Sequence, residues 1–391
     1  GGNITDSGTV TVGGNLVVTT DANSGVIDLG TLAVDGTMAL VTHNNGAATI
    51  VNDAGLNFAA STVGGALSAT ATSGNIIDAG ALTITGTSTF VTIANDATIT
   101  LDQGGHAFTG ALLITTNDTS TDTAGDVTIS AGSSAALDFG NSTIDGDLIA
   151  TSSNATGITD SGAMTVRGTA SFRTTAANAD ISLGTSTLGD GTGTDTITLN
   201  TTGSTGNATL DNGTTVVALG TSAASLVTSV GGNLTLTSGA AAGITDSATV
   251  TVGGNLVATT NDNDGVINLG TLAVTGTITL TTHGSGAATI DNGTANIDIA
   301  AASVGGNLTL TSGAATSGSN YAIMDSGTVT VGGNLIATTD ANSGVIDLGT
   351  LAVDGTMALT THSGGAATVV NDAGLNFAAS TVGGALSATA T

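Results

Sequence analysis

The sequence predicts an all-β protein: a right-handed parallel β-solenoid with roughly three short strands in each coil of about 22 residues. Three observations carry this. Residues 4–72 return at 323–391 with only 7 of 69 positions changed, and looser copies start at Ile76, Ile158 and Ile244. Within each copy, two alternating apolar runs flank a glycine-containing doublet, and successive doublets are often 22 residues apart, as from Gly14 to Gly36. The composition has no Glu, Lys, Pro or Trp and is rich in Thr, Val, Ile and Gly. It lacks strong helix formers and abounds in residues that fit a pleated, half-buried surface.

The elements follow in order. TVTV-GG-NLVVTT (9–20) alternates with period two, which turns Val10, Val12, Leu16 and Val18 inward and Thr9, Thr11, Asn15 and Val17 outward. VIDLG (26–30) adds a third strand with Ile27 and Leu29 inside and Asp28 outside. TLAV-DG-TMALVT (31–42) begins the next coil, and the unit recurs at 82–92, 228–238, 249–260, 271–282 and 350–361. Glycine at the corner is expected to supply positive φ. The interval from Gly36 to Gly65 stretches to 29 residues, which reads as a longer loop between persisting strands. The whole is read as one continuous solenoid, 1–391, of ~80-residue blocks starting near 4, 76, 158, 244 and 323. No capping segment is recognisable, so the chain reads as an excerpt of something longer. Immunoglobulin-like domains of similar size are the competing fold, but aromatics form only 2 % of the chain, too few for a two-sheet sandwich core. An aliphatic column suffices for a narrow coil.

Charge excludes several partners. The net charge is -27, and Arg167 and Arg173 are the only basic residues apart from histidines. Such a surface repels nucleic acid and anionic lipid. No run reaches the ~18 apolar residues of a transmembrane helix, and the aromatic girdles of an outer-membrane barrel are missing. Neither nucleic-acid binding nor membrane insertion is expected. Close-set aspartates repel, so divalent cations are expected to raise thermal stability.

The units TVTVGGNLVVTT, SVGGNLTLTSGAA and TLAVDGTMALTT resemble the repeats of large bacterial filamentous-haemagglutinin-type and autotransporter-like exoproteins. The resemblance covers essentially the whole chain and rests on period and composition. It implies a right-handed β-helix exported through an outer-membrane pore, acting as an adhesin or surface fibre. It brings no catalytic motif.

Chemistry-bearing residues are few. Aspartate-rich loops supply hard oxygen ligands beside tight turns, so Asp262 and Asp264 in NDNDG and Asp190 and Asp195 in GDGTGTD are weak Ca²⁺ candidates, as is the loop at 117–126. None matches an EF-hand or a calcium β-roll repeat, and Asp is also an ordinary turn former. His43, His283 and His362 recur at one strand end and read as solvated; His106 in QGGHAF is isolated and reads as equally unremarkable. Arg167 replaces a corner glycine and reads as an exposed substitution, with neutralisation of a nearby Asp or a docking point as alternatives. A polysaccharide-cleaving site needs a unique carboxylate pair, whereas these blocks multiply one surface. An ice-binding face needs unbroken threonine rows, and these are interrupted.

The expected function is therefore non-enzymatic: an extracellular structural or adhesive segment of a bacterial surface fibre. A self-assembling filament or sheath is the alternative. Expected partners are further copies, end to end or side by side, and cell-surface or matrix glycans or proteins. No cofactor is expected beyond candidate Ca²⁺.

Overall fold

A computed structural model describes residues 2–117, 124–221, 226–314, 321–341 and 343–391. The described residues contain no helix; parallel strands stack in about 17 coils of some 22 residues, a β-solenoid. The chain divides into two compact units, the first reaching to Asp190 and the second beginning at Gly191.

In the first unit each coil crosses two parallel sheets. The opening coil has three strands: Ile4–Thr5 and Val10–Val12 in one sheet, Leu16–Asn23 in the other. Later coils lie in register on it. Leu29, Ile50, Ala69, Phe90 and Ile114 form one continuous inward row. The second unit repeats the plan, with Leu234, Leu256 and Ile278 aligned in one sheet and Ile244, Ile267, Ala288 and Leu308 in the other. The alternation expected from sequence holds: Val18 is 5 % exposed and its neighbour Val17 is 71 % exposed.

The corner glycines differ from expectation in their reason. None of Gly14, Gly36, Gly232, Gly254 or Gly276 has positive φ. They are small because corners stack backbone on backbone: Gly254 N donates to Gly232 O at 2.8 Å, and Gly276 N to Gly254 O at 3.0 Å. A Cβ on Gly276 would strike both Gly254 O and Asn255 Oδ1. The asparagine after the doublet completes the corner. Asn233 Oδ1 accepts from Asn255 N (2.8 Å), and Asn255 Oδ1 from Thr277 N (2.9 Å). Close approach, rather than turn conformation, selects the GGN triplet.

The 29-residue interval is likewise more than a lengthened loop. Gly36 joins Ile27–Val34 of one sheet to Met38–His43 of the other. Gly65 joins Ser61–Val63 to Leu67–Ala71 in the opposite sense, at the other edge, where it packs on the Asn45–Gly46 turn. Successive blocks therefore start on opposite sheets. Ile4 and Ile158 pair in one sheet and Ile76 in the other. In the second unit, Ile244 and Ile323 are likewise on different sheets.

Two interior features escaped the sequence reading. The first unit holds edge-to-face aromatic stacks, Phe58–Phe90–Phe108 at 6.1 Å per step and Phe139–Phe172 at 6.3 Å, so its column is not purely aliphatic. In both units buried asparagines act as pegs. Asn292 Oδ1 accepts from Val274 N (2.8 Å), while Nδ2 donates to Val274 O (3.0 Å) and Asn296 O (2.7 Å). Asn52 makes the same bonds to Val34.

Burial is a property of neighbours. Residues 53–72 and 372–391 are identical in sequence. Phe58 is 0 % and Leu67 1 % exposed beneath the following coil, whereas Phe377 and Leu386, in the last coil of the chain, are 38 % and 47 % exposed. Strands Leu56–Phe58 and Ser61–Val63 of the first copy reduce to isolated bridges at Phe377 and Thr381 in the second.

Candidate functional site

Two short sequence motifs, the D-S of the block start and L-G-T, turn out to be halves of one device. Each apolar strand of the block start ends in an aspartate that reaches to the bend of the next coil. Asp246 accepts Gly270 N, Thr271 N and Thr271 Oγ1, each at 2.8 Å. Asp6 binds Gly30 and Thr31 in the same way, Asp160 binds Gly184 and Thr185, and Asp325 binds Gly349 and Thr350. A carboxylate suits three converging donors because it carries only acceptors.

The Thr31 hydroxyl, followed by the Thr31 amide, holds the Asp6 carboxyl below its ordinary value; burial opposes them, and the Gly30 amide adds a lesser pull. The folded state thus binds the Asp6 proton more weakly than the unfolded chain. Its contribution to stability is complete above the unfolded carboxylate range, near pH ~4, and is lost as pH falls through the lower folded value. Acidification from pH 5 to 3 is therefore expected to loosen residues 26–34 in the wild type. In Asp6→Asn that pH dependence should shrink, read by hydrogen exchange of the same segment.

Above three of these devices the bend leaves a shallow groove, at equivalent places. One, of about 270 Å³, is lined by Thr9, Thr31, Leu32, Asp53 and Thr72. A second, of about 370 Å³, is lined by Thr249, Thr271, Leu272, Asp291 and Asn292. A third, of about 270 Å³, has Thr328, Thr350, Leu351 and Asp372. The Thr31 and Thr271 hydroxyls are already donating to the aspartate beneath. Toward solvent they offer lone pairs beside a carboxylate over an aliphatic floor, a surface that receives hydrogen-bond donors.

The calcium candidates have other employment or fall in different units. Asp264, at φ 73°, uses Oδ1 to accept Ser285 N (2.6 Å) and Ser285 Oγ (2.5 Å). The Ser285 hydroxyl, then its amide, holds the Asp264 carboxyl below its ordinary value. Asp262 closes the same turn through its carbonyl, which accepts Gly265 N. Asp190 belongs to the first unit and Asp195 to the second, separated in sequence by Gly191 and Gly193 at φ 83° and 80°. Of the loop at 117–126, residues 118–123 lie outside the described residues, and Asp126 Oδ1 accepts Asp147 N at 2.9 Å. Among the described residues no three His, Cys, Asp or Glu side chains gather closely enough to hold a metal ion.

The histidines divide into two kinds. His43 Nδ1 donates to Thr20 O (2.7 Å) and His283 Nδ1 to Thr260 O (2.8 Å), both rings being exposed, in line with the strand-end reading. His106 is different: it is fully buried against Asp78. Sequence reasoning missed this pair because its members are 28 positions apart and joined only by coiling. Arg167 is 58 % exposed and lies 2.8 Å from Asp145 Oδ1, whose side chain is 8 % exposed, so the neutralising alternative describes it better than a bland substitution. Arg173 stands in an outward row beside Thr151. Outward threonine rows are broken, as in Thr235–Val257–Thr279–Ala301 of the second unit.

No described helix is long and apolar enough to cross a membrane. A family model described as repeats of unknown function (DUF5649) matches residues 45–115 and 124–187, both in the first unit. No curated protein and no solved structure matches the chain.

Proposed function

We propose that this repeat protein is a non-enzymatic structural and adhesive segment of an extracellular bacterial surface fibre. The observation that carries the reading is the multiplication of one surface. The groove and the aspartate beneath it recur at Thr31, Thr271 and Thr350 with the same chemistry. Catalysis calls for a single constellation of matched groups, whereas attachment gains from many weak equivalent contacts. The acceptor-rich grooves and the net charge of -27 favour neutral, hydroxyl-bearing ligands such as uncharged glycans over anionic ones. Parallel ladders in which a coil bonds to the coil before and the coil after suit a load-bearing role, because length is added without a new core.

Gold-labelled antibody against the chain, applied to intact cells of the source organism, tests this. The expected image is label along projecting fibres. Label that appears only after lysis would sink the extracellular reading. Ordered bundles in place of single fibres would favour the sheath alternative, which the near-identical copies 319 residues apart also suit.

A further inference from the structure

The buried pair in the second block is built where the fold is locally interrupted. At the corresponding place in other blocks a backbone ladder bond holds the coil above: Met164 N donates to Thr185 O (3.3 Å) and Val250 N to Thr271 O (3.0 Å). The second block has DQGG (102–105) where the others have two residues, GT (184–185, 270–271). The extra pair shifts the register between Leu101 and His106. Leu82, equivalent to Met164 and Val250, donates instead to His106 Nδ1 at 2.9 Å, a buried bond. An imidazole thus replaces a carbonyl in the ladder.

This fixes the proton. A backbone N–H can only donate, so Nδ1 is bare and the neutral ring carries its hydrogen on Nε2. Nε2 lies 2.9 Å from Asp78 Oδ2, in a contact too bent to be a well-aligned hydrogen bond. The Asp78 carboxylate is the block's aspartate device, accepting Asp102 N (3.1 Å) and Gln103 N (3.3 Å), with His106 standing where threonine donates elsewhere. Phe108 stacks on the imidazole at 5.4 Å. Asp78 and Asp102 are the charged groups facing the ring. The packed strands Leu82–Ile84, Ser88–Asn95 and Val127–Ala131 contribute no titratable side chain.

We propose that the seam between Ile76–Ile84 and Ile99–Phe108 is an acid-operated joint, opened when a proton added to His106 Nδ1 displaces the Leu82 N–H. The other ladder-bound histidines behave in the opposite way. His43 and His283 donate from Nδ1 to a carbonyl, so their ladder bonds do not need a bare ring nitrogen. Burial holds His106 below its ordinary value, opposed by the Asp78 carboxylate and, less, by Asp102. The unfolded or opened segment therefore binds the proton more readily than the closed one. The seam is fully stable above the opened-state value near pH ~6.5 and weakens as pH falls below it.

Hydrogen exchange of the full chain between pH 7.5 and 5, normalised to intrinsic rates at each pH, tests the joint. Protection over 76–84 and 99–108 is expected to fall about tenfold per pH unit below ~6.5, while the segments holding His43 and His283 stay level. His106→Asn, whose amide oxygen can accept but does not titrate in this range, should flatten the profile. A flat wild-type profile, or an unchanged slope in His106→Asn, overturns the proposal. If that variant does not fold, imidazole ¹⁵N shifts of the wild type decide. His106 should remain bare at Nδ1 until the segment opens, and a doubly protonated ring within a closed seam overturns the joint.

Discussion

Gly243→Ala is expected to destabilise the second unit by about 3–4 kcal/mol, among the largest effects of any single methyl group in the chain. Two penalties coincide there. Gly243 has φ 66°, in the left-handed region, and a Cβ would overlap the Val266 carbonyl oxygen of the next coil. That oxygen belongs to the ladder and accepts Ile244 N at 2.9 Å, so it cannot retreat without opening the stack. The two penalties can be separated. Gly191 has φ 83° but nothing within 4 Å, so Gly191→Ala should cost only the backbone term, about 1–2 kcal/mol. Gly270 has neither positive φ nor a neighbour nearer than 4.0 Å, and Gly270→Ala should be near neutral. Urea midpoints of the three variants provide the measurement; equal midpoints would refute the close-approach account of these glycines.

Asn292→Ala should cost about 3 kcal/mol. The side chain is 1 % exposed and serves Val274 N, Val274 O and Asn296 O. Truncation strands those backbone groups at a buried corner where water cannot readily replace the amide, and each unsatisfied group costs about 1–3 kcal/mol. Asn292→Asp is the sharper test. Its carboxylate still accepts Val274 N but presents charge to two carbonyl oxygens, so it should be as harmful as alanine despite its shape. A mild effect of Asn292→Asp in urea unfolding would mean that the peg is fixed by packing alone.

The period and the inside–outside alternation were legible because both follow from local residue order. Val10, Val12 and Leu16 face inward for the same reason that Thr11 and Asn15 face out. What was illegible depends on which coil lies next. Gly36 and Gly65 look alike in sequence, yet they turn the chain at opposite edges, because the residues between them carry it across a further sheet. Asp6 and Thr31 look like ordinary turn residues until coiling places them 2.8 Å apart. His106 looked unremarkable because it is isolated in sequence and its partner Asp78 comes near only through coiling. The glycines before it are the insertion that draws the ring inward. The phenylalanine stacks were hidden similarly, since Phe58, Phe90 and Phe108 are unremarkable singly and meet only through the coil.

The change of sheet between successive blocks has a mechanical corollary. In the second unit the groove around Thr271 opens from one flank and that around Thr350 from the other, because Ile244 and Ile323 start on different sheets. If the proposed adhesive role holds, a polymer bound in these hollows would be held on both sides of the same unit. A two-sided fastener of that kind would knit its surroundings into a mesh, where a one-sided one would merely coat them.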